Sequence, residues 1–354
     1  MSGTDTSNKT PHTFIIAEAG VNHNGNQELA KKLIDAAKEA GVDAVKFQTF
    51  KAEKMVSPFT KKANYQKRTT NKAESQLEMI KKLELSFEDF IKLKKHCDKK
   101  DIIFLSTPFD YESIEFLEKL MPLYKIASGE ITNLPFLEYI AKKGKPIILS
   151  TGMSTLGDIE EAINIISPFL NAQHFQSHAK FPPLTLLHCV SDYPADFSEV
   201  NLKAMLTIKE AFKLPVGYSD HTLGIEVPIA AVALGARIIE KHFTLDKSFP
   251  GPDHRASLEP HELKEMVKAI RNVEKSLGNN IKRPTNNELK VMKVARRSLI
   301  AKRNIKDGET VKKSDIAIKR PGLGIPPKFK EIVIGMRLSR EIKKDEPFRW
   351  EHFK

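Results

Sequence analysis

The stretch that decides the fold is Val216–Leu245, VGYSDHTLGIEVPIAAVALGARIIEKHFTL. It opens with a short apolar run, Val216–Ser219, crosses a polar turn, and continues as Ile225–Leu234, whose apolar residues recur at helical spacing. Gly235 then stops the helix, as glycine does after a last helical turn, and Arg237–His242 follows as a second strand. Strand, helix and strand in so short a span make a βα repeat with a buried parallel sheet, because the strands are near-continuous apolar runs covered on both faces.

The same texture extends outward from this stretch. Between Thr13 and Phe243 there are eight strand candidates: Phe14–Ala19, Asp43–Gln48, Ile102–Ser106, Tyr124–Ala127, Pro146–Ser150, Leu184–Cys189, Val216–Ser219 and Arg237–His242. Helical patterns lie between them at Gln27–Ala40, Ser75–Lys100, Tyr111–Leu120, Leu134–Lys143, Leu156–Ser167 and Leu202–Phe212, besides Ile225–Leu234. Gly41 and Gly144 end two of these helices as Gly235 ends its own. Eight β-then-α units predict an α/β protein with a (β/α)₈ barrel; a doubly wound sheet is the rival on periodicity alone. A further helix over Glu262–Leu277 completes the domain, and Gly278-Asn279-Asn280 breaks it.

These readings divide the chain into a disordered tail over 1–12, a barrel domain over 13–280, a polar linker over 281–294 and a β-rich domain over 295–354. The last part holds a faint internal echo: Ala301-Lys-Arg-Asn-Ile305-Lys-Asp-Gly308-Glu309 against Leu338-Ser-Arg-Glu-Ile342-Lys-Lys-Asp345-Glu346. It reads either as two similar turns in one small domain or as coincidence in a Lys/Glu-rich segment.

Composition narrows the function classes. The chain has 354 residues, and 57 basic against 45 acidic side chains leave a net charge of +12. The lysines are spread along the chain among acids, without an arginine-rich block or interleaved aromatics, so the expectation is no nucleic-acid partner. Two cysteines are too few for a disulfide scaffold, and Met1–His12 is polar with no apolar core of a signal peptide. With no apolar run of membrane-spanning length, the expected location is the cytoplasm, with no membrane partner.

In a barrel, chemistry gathers where strands end and loops begin. Polar residues stand at every such position: Glu18; Lys46 and Gln48; Ser106 and Thr107; Lys125, Ser128 and Glu130; Ser150 and Thr151; His188, Ser191 and Tyr193; Ser219, Asp220 and His221; Glu240, Lys241 and His242. A ring of polar groups at buried strand ends needs partners, so it reads as a ligand site. His221 and His242 are one repeat apart and therefore end adjacent strands, about 5 Å from each other. Two imidazoles at that separation either share a divalent metal with open positions for substrate and water or act as hydrogen-bonded barrel histidines. His254 and His261 read as surface or loop residues. Lys46 and Lys125, with Thr107, Ser128, Ser150 and Ser219 beside them, suit a phosphate or carboxylate. Pairing with Glu18 and Glu130, or a Schiff-base role needing a depressed pKa, are the alternatives. Glu18 and Glu130 are the acids placed to handle protons. Pro250-Gly251-Pro252-Asp253-His254 reads as a stiff loop over the rim, with Asp253 available to sugar hydroxyls or with no ligand role at all. No G-x-G-x-x-G, P-loop or G-x-S-x-G spacing occurs.

These residues resemble the N-acetylneuraminate (sialic acid) synthase family, which includes legionaminic and pseudaminic acid synthases. The likeness runs through IIAEAGVNHNG (15–25), VKFQTFK (45–51), FLSTPFD (104–110), YKIASGEITNLP (124–135), ILSTGM (148–153), LLHCVSDYPA (186–195), VNLKAM (200–205), GYSDHTLGIEV (217–227), IEKHFTLDK (239–247), GPDHRASLEP (251–260) and KRPGLGI (319–325). It implies a (β/α)₈ barrel followed by an antifreeze-like (SAF) domain. It also implies a domain-swapped homodimer and the condensation of phosphoenolpyruvate with an N-acylated mannose-type sugar. By this resemblance His221 and His242 hold Mn²⁺, with Mg²⁺ or Co²⁺ as alternatives. Lys46, Thr107, Lys125, Ser128, Ser150 and Ser219 contact phosphoenolpyruvate. Gln48, Glu130, Tyr193 and Asp253 contact the sugar, together with Arg320 from the partner chain, and Glu18 is the acid/base. The metal polarises the sugar aldehyde, C3 of phosphoenolpyruvate attacks it, and water adds at C2 before phosphate leaves. Ser191 stands where the neuraminate-making bacterial enzymes have Asn. With the wording of KHFTLDK, VNLKAM and ASLEP it points to the legionaminic branch and to 2,4-diacetamido-2,4,6-trideoxymannose rather than N-acetylmannosamine. An aldolase or 3-deoxy-sugar-acid phosphate synthase fits the rim but not the tail, and a non-catalytic carbohydrate- or ice-binding protein fits the tail but not the rim.

Overall fold

The structure is a computed structural model in which residues 12–71, 73–170 and 181–353 are described. The expected tail over 1–12 lies, except for His12, outside them. The chain forms two compact units, 1–279 and 280–354.

In the first unit the eight strands are β1 Phe14–Gly20, β2 Ala44–Thr49, β3 Ile103–Pro108, β4 Tyr124–Ile126, β5 Ile147–Ser150, β6 Leu184–Cys189, β7 Val216–Asp220 and β8 Ile238–His242. All pairings among them are parallel, in the order β3-β2-β1-β8-β7-β6-β5-β4. The first strand lies between the second and the last, with Glu18 opposite both Lys46 and His242. This joins the first of the eight strands to the last, and β3 and β4 stand side by side at the remaining seam. The sheet is thus a barrel rather than an open doubly wound sheet.

The helices that cover it are α1 Gln27–Ala40, α2 Phe87–Lys100, α3 Tyr111–Leu117, α4 Leu134–Ala141, α5 Leu156–Ile166, α6 Ala204–Phe212, α7 Glu226–Ala233 and α8 Pro260–Leu277. Their starts are written locally. Asn26 caps α1 by accepting from the N–H groups of Glu28 and Leu29, and Thr155 and Asp158 form a reciprocal cap on α5. Gly41, Gly144 and Gly235 all take the positive φ that ends a helix (83°, 64° and 97°). One apolar core runs through the barrel interior and under the helices, including Ile15, Val45, Leu105, Leu149 and Leu187.

The single helix expected over Ser75–Lys100 is two, Gln76–Lys81 and α2. Ser86 restarts the chain, its hydroxyl accepting from Asp89 N–H while Asp89 accepts from Ser86 N–H. In the gap, Glu84 turns back to take the Ala52 N–H at 3.0 Å and Lys51 Nζ at 2.9 Å. The excursion from β2 to α2, with short helices Ala52–Met55, Asn64–Thr69 and Gln76–Lys81, has its own apolar cluster: Phe50, Ala52, Val56, Met79, Ile80 and Leu83 against Val21.

In the second unit, the stretch expected to be a linker contains a helix, α9 Asn286–Ala295, started by a Thr285–Glu288 capping box. Thr285-x-x-Glu288 was the sequence signal for it. Strands β9 Ser298–Ala301 and β10 Ile316–Lys319 pair antiparallel. The sequence echo is a structural repeat. Ile305 and Ile342 exchange both backbone hydrogen bonds at 2.9 Å. Gly308 N–H reaches Leu338 O (3.1 Å) as Asp345 N–H reaches Ala301 O (2.8 Å). Glu309 accepts from Lys306 N–H as Glu346 accepts from Lys343 N–H, both at 2.9 Å. Gly308 and Asp345 occupy the same left-handed position, φ 78° and 66°. Two equivalent turns therefore pack about a local two-fold over a core of Leu299, Ile305, Leu338, Ile342 and Phe348.

Candidate active site

Strand alternation sorts the polar rim. Side chains at i and i+2 face one way and those between face the other. Lys46 and Gln48, Thr107, Ser219 and His221, and Glu240 and His242 face the barrel axis and line a cavity of 440 Å³. Glu18, Lys125, Ser128, Ser150, Ser191, Tyr193 and Asp253 line it too. The intervening residues hold the scaffold. Ser106 meets Thr49 Oγ1 at 2.7 Å, Thr151 donates to Leu187 O, and His188 Nε2 meets Val200 O. Asp220 and Lys241, both fully buried, form an ion pair at 2.5 Å on the outer face between β7 and β8.

The electrostatic centre is a quartet of buried charges. Lys46 Nζ lies 2.6 Å from Glu18 Oε2 and 3.7 Å from Glu240 Oε1, and Lys125 Nζ lies 3.4 Å from Glu240 Oε1. Burial pushes the Glu18 carboxyl up to about 7, against the opposing pull of Lys46 and with help from the Glu240 charge. Burial also works against the Glu240 carboxylate, but Lys125 and Lys46 outweigh it and hold this group below its ordinary value. The lysines differ in the same way. Burial lowers Lys125, while Glu18 and Glu240 overcome burial at Lys46 and raise it. Hydroxyls ring the two ammoniums. Lys46 donates to Thr107 Oγ1 at 2.9 Å, Ser219 donates to Glu240 Oε1 at 3.3 Å, and the buried Ser150 Oγ has no partner. Ser128 Oγ accepts the Gly152 N–H at 2.9 Å and lies 3.0 Å from Cys189 Sγ.

His221 and His242 stand with ring centroids 5.4 Å apart, and the Tyr193 ring packs against both, at 4.1 and 5.6 Å. Burial keeps both imidazoles neutral, His242 the more so because His221 is beside it. His221 Nδ1 lies 2.6 Å from Val190 O, which fixes the proton there and leaves Nε2 as a lone-pair donor. His242 Nδ1 is buried without a partner. Neutral, oriented and adjacent imidazoles fit a divalent cation. Among the described residues no group of three or more His, Cys, Asp or Glu is disposed to complete the shell, so substrate oxygens and water would have to fill it.

Glu130 and His254 differ from expectation. Glu130 does not line the cavity; its carboxylate accepts from Asn133 Nδ2 at 2.8 Å at the start of the next loop. Arg320 belongs to the second unit and is exposed just after β10. His254 is not a surface residue: it is fully buried, between Thr244 Oγ1 (2.7 Å) and Asn24 Oδ1 (3.2 Å). It ties the loop carrying Asp253 to the one after β1, a long-range contact that no local pattern announces. Glu240 is the functional candidate that sequence reasoning placed on the rim and then left without a role. Its signal was available, since it shares a strand face with His242, two residues on. Asp253, buried and pushed up to about 6 by that burial, lines the cavity as expected.

Comparisons with known proteins agree with this fold. The NeuB family model matches residues 33–282 and the SAF domain model residues 296–354. The chain is 52% identical over 338 residues to the N,N'-diacetyllegionaminic acid synthase of Campylobacter jejuni, covering 95% of this chain and 99% of that protein. The Legionella pneumophila protein of the same name is 49% identical, with 96% and 94% covered. Among solved structures, the N-acetylneuraminic acid (sialic acid) synthetase of Leptospira borgpetersenii superposes with a TM-score of 0.67 at 37% identity, covering 80% of this chain and 91% of that one. A barrel with this rim, a family match over most of the chain and relatives half identical along nearly all of it place the protein in the NeuB family, the sialic acid synthases.

Proposed function

We propose that the protein condenses phosphoenolpyruvate with 2,4-diacetamido-2,4,6-trideoxymannose to give N,N'-diacetyllegionaminic acid and phosphate. The observation that carries this reading is the near-full-length identity to proteins named for that product. The cavity supplies matching chemistry: two buried ammoniums ringed by hydroxyls for a double anion, beside two neutral imidazoles.

In this reading Lys46 and Lys125 bind the phosphoenolpyruvate carboxylate and phosphate, and Thr107, Ser128, Ser150 and Ser219 donate to the remaining oxygens. Ser150, without a protein partner, is free to do so. Glu240 alone does not offset the burial of Lys125, and an arriving anion adds to its counter-charge. Gln48, Tyr193 and Asp253 orient the sugar. C3 of phosphoenolpyruvate attacks the aldehyde carbon, and the aldehyde oxygen takes a proton from Glu18. Water then adds to the electron-poor C2 and returns a proton to Glu18. The C2–O bond to phosphate breaks as the C2 hydroxyl gives up its proton and becomes the ketone. A carboxyl near 7 can serve both steps. A divalent cation on His221 and His242, Mn²⁺ with Mg²⁺ or Co²⁺ as alternatives, supplies Lewis acidity at the aldehyde oxygen when bound. The same reading includes a domain-swapped homodimer in which Arg320 of a second copy contacts the sugar, and a cytoplasmic location.

The test is phosphate release from phosphoenolpyruvate with Mn²⁺, each acylated sugar offered separately and EDTA as control. Release with the diacetamido trideoxy sugar alone, abolished by EDTA, is the expected result. Release with N-acetylmannosamine alone would make the protein a neuraminate synthase, and release unaffected by EDTA would remove the metal.

A further inference from the structure

The cavity has two unlike walls. The strand ends and the loop at Asp253 supply every charged group that lines it. The excursion between β2 and α2 supplies Met55, Met79, Ile80 and Leu83 and, among its described side chains, only two polar ones, Gln66 and Gln76. This is notable in a segment dense in lysine and glutamate, none of which lines the cavity among its described side chains. Those charges are used outside. Lys62 holds Thr70, Asn71 and Glu74, Lys51 meets Glu84, and Lys81 meets Glu53. The wall is also fixed against the barrel, because Lys82 O approaches Gly25 so closely that a Cβ there would lie 2.4 Å from it.

The two carboxamides have complementary groups to offer. Gln66 is buried, and its oxygen accepts the Ala63 N–H at 2.9 Å and Gln76 Nε2 at 3.4 Å. What remains is the Gln66 NH₂ as donor and the Gln76 oxygen as acceptor. An acylamino group carries one C=O and one N–H, the converse pair. The apolar surface around them suits methyl groups, whereas a hydroxymethyl or a phosphate there would lose hydration with no cation or hydroxyl in return.

We propose that Gln66 and Gln76 form a specificity subsite for the sugar's second acylamino group, and that Met55, Met79, Ile80 and Leu83 seat its 6-deoxy methyl. This rests on the function proposed above and adds which wall of the cavity chooses the sugar.

The experiment measures kcat/KM for 2,4-diacetamido-2,4,6-trideoxymannose and for 2-acetamido-2,6-dideoxymannose, which lacks the nitrogen at C4, with N-acetylmannosamine as a third substrate. Wild type, Gln76→Leu and Gln76→Glu are compared. Gln76 is partly exposed at the start of a short helix, so both variants are placed to fold. In Gln76→Leu the preference for the diacetamido sugar over its C4-deaminated analogue should shrink by about 10-fold, the size of one lost hydrogen bond in a desolvated pocket. Gln76→Glu, which keeps the acceptor, should lose less of it. An equal fall on both sugars in both variants, or an unchanged preference, overturns the subsite while leaving the synthase reading intact. A wild-type enzyme that prefers N-acetylmannosamine overturns the assigned sugar and this subsite's ligand together.

Discussion

Replacing Lys241 with Met should destabilise the barrel far more than the loss of one surface charge would. Lys241 and Asp220 are cross-strand neighbours on β8 and β7, and neither exposes any side-chain surface. The ammonium is 2.5 Å from Asp220 Oδ2 and also donates to Thr222 O. Among the described residues the Asp220 carboxylate is otherwise held only by Thr222, through its N–H (3.1 Å) and hydroxyl. Without Lys241, a carboxylate stays buried with no counter-charge, a loss of about 3–5 kcal/mol. At 2–4 °C per kcal/mol for a domain of this size, the melting temperature should fall by about 6–20 °C. Burial lowers the Lys241 ammonium even with Asp220 beside it, so attraction does not recover the whole desolvation cost. The double variant Asp220→Asn with Lys241→Met should therefore regain more than half of the loss. Denaturant unfolding of wild type, both single variants and the double variant closes the cycle. A Lys241→Met protein within about 1 kcal/mol of wild type, or a double variant as unstable as the summed singles, would refute the reasoning.

Two further outcomes follow from buried groups. His23 and His254 are held at about 4 by burial, against about 6.5 in an unfolded chain, so the unfolded state binds protons that the folded state refuses. Their penalty is negligible well above about pH 6.5 and grows as pH falls toward 4, to about 3 kcal/mol per histidine. Glu18 and Asp253, pushed up to about 7 and about 6, act in the opposite sense. The readout is therefore the difference in melting between wild type and His254→Gln from pH 7.5 to 5. That difference should vary with pH, and a constant offset would count against it. At Gly152 an added Cβ would lie 2.3 Å from Ser191 Oγ and 2.9 Å from both Ser128 Oγ and Cys189 Sγ. Gly152→Ala should raise KM for phosphoenolpyruvate at least several-fold by displacing Ser128, whereas Gly157→Ala, whose nearest neighbour is 3.6 Å away, should not.

The barrel was legible because its strands are buried on both faces and read as unbroken apolar runs, and because Gly41, Gly144 and Gly235 mark the ends of helices between them. The excursion was less so. Leu83 and Leu85 keep the helical spacing going, but they bury into different clusters, which only tertiary packing reveals. The rim residues were found by their positions at strand ends, yet position does not tell which face a side chain takes. Lys241 and Glu240 are neighbours in sequence with opposite fates, one clamped outside the barrel and one facing its axis. Glu130 stands off the cavity because the chain turns into a short 3₁₀ segment at Ser128–Glu130, where strand alternation no longer applies. His254 is a loop residue as expected but a buried one, because Thr244 in its own loop and Asn24 in the distant loop after β1 enclose it.

The seating of β1 between β2 and β8 has a consequence for the protein's birth on the ribosome. The strand made first must hold one edge open until the strand made last emerges, more than two hundred residues later. That last strand also brings Glu240 and His242, two of the groups at the heart of the cavity. A chain that stops before β8 therefore lacks Glu240 and His242 and leaves β1 unpaired on one side. The strand that closes the barrel is thus also the one that completes the buried charge cluster around Glu240.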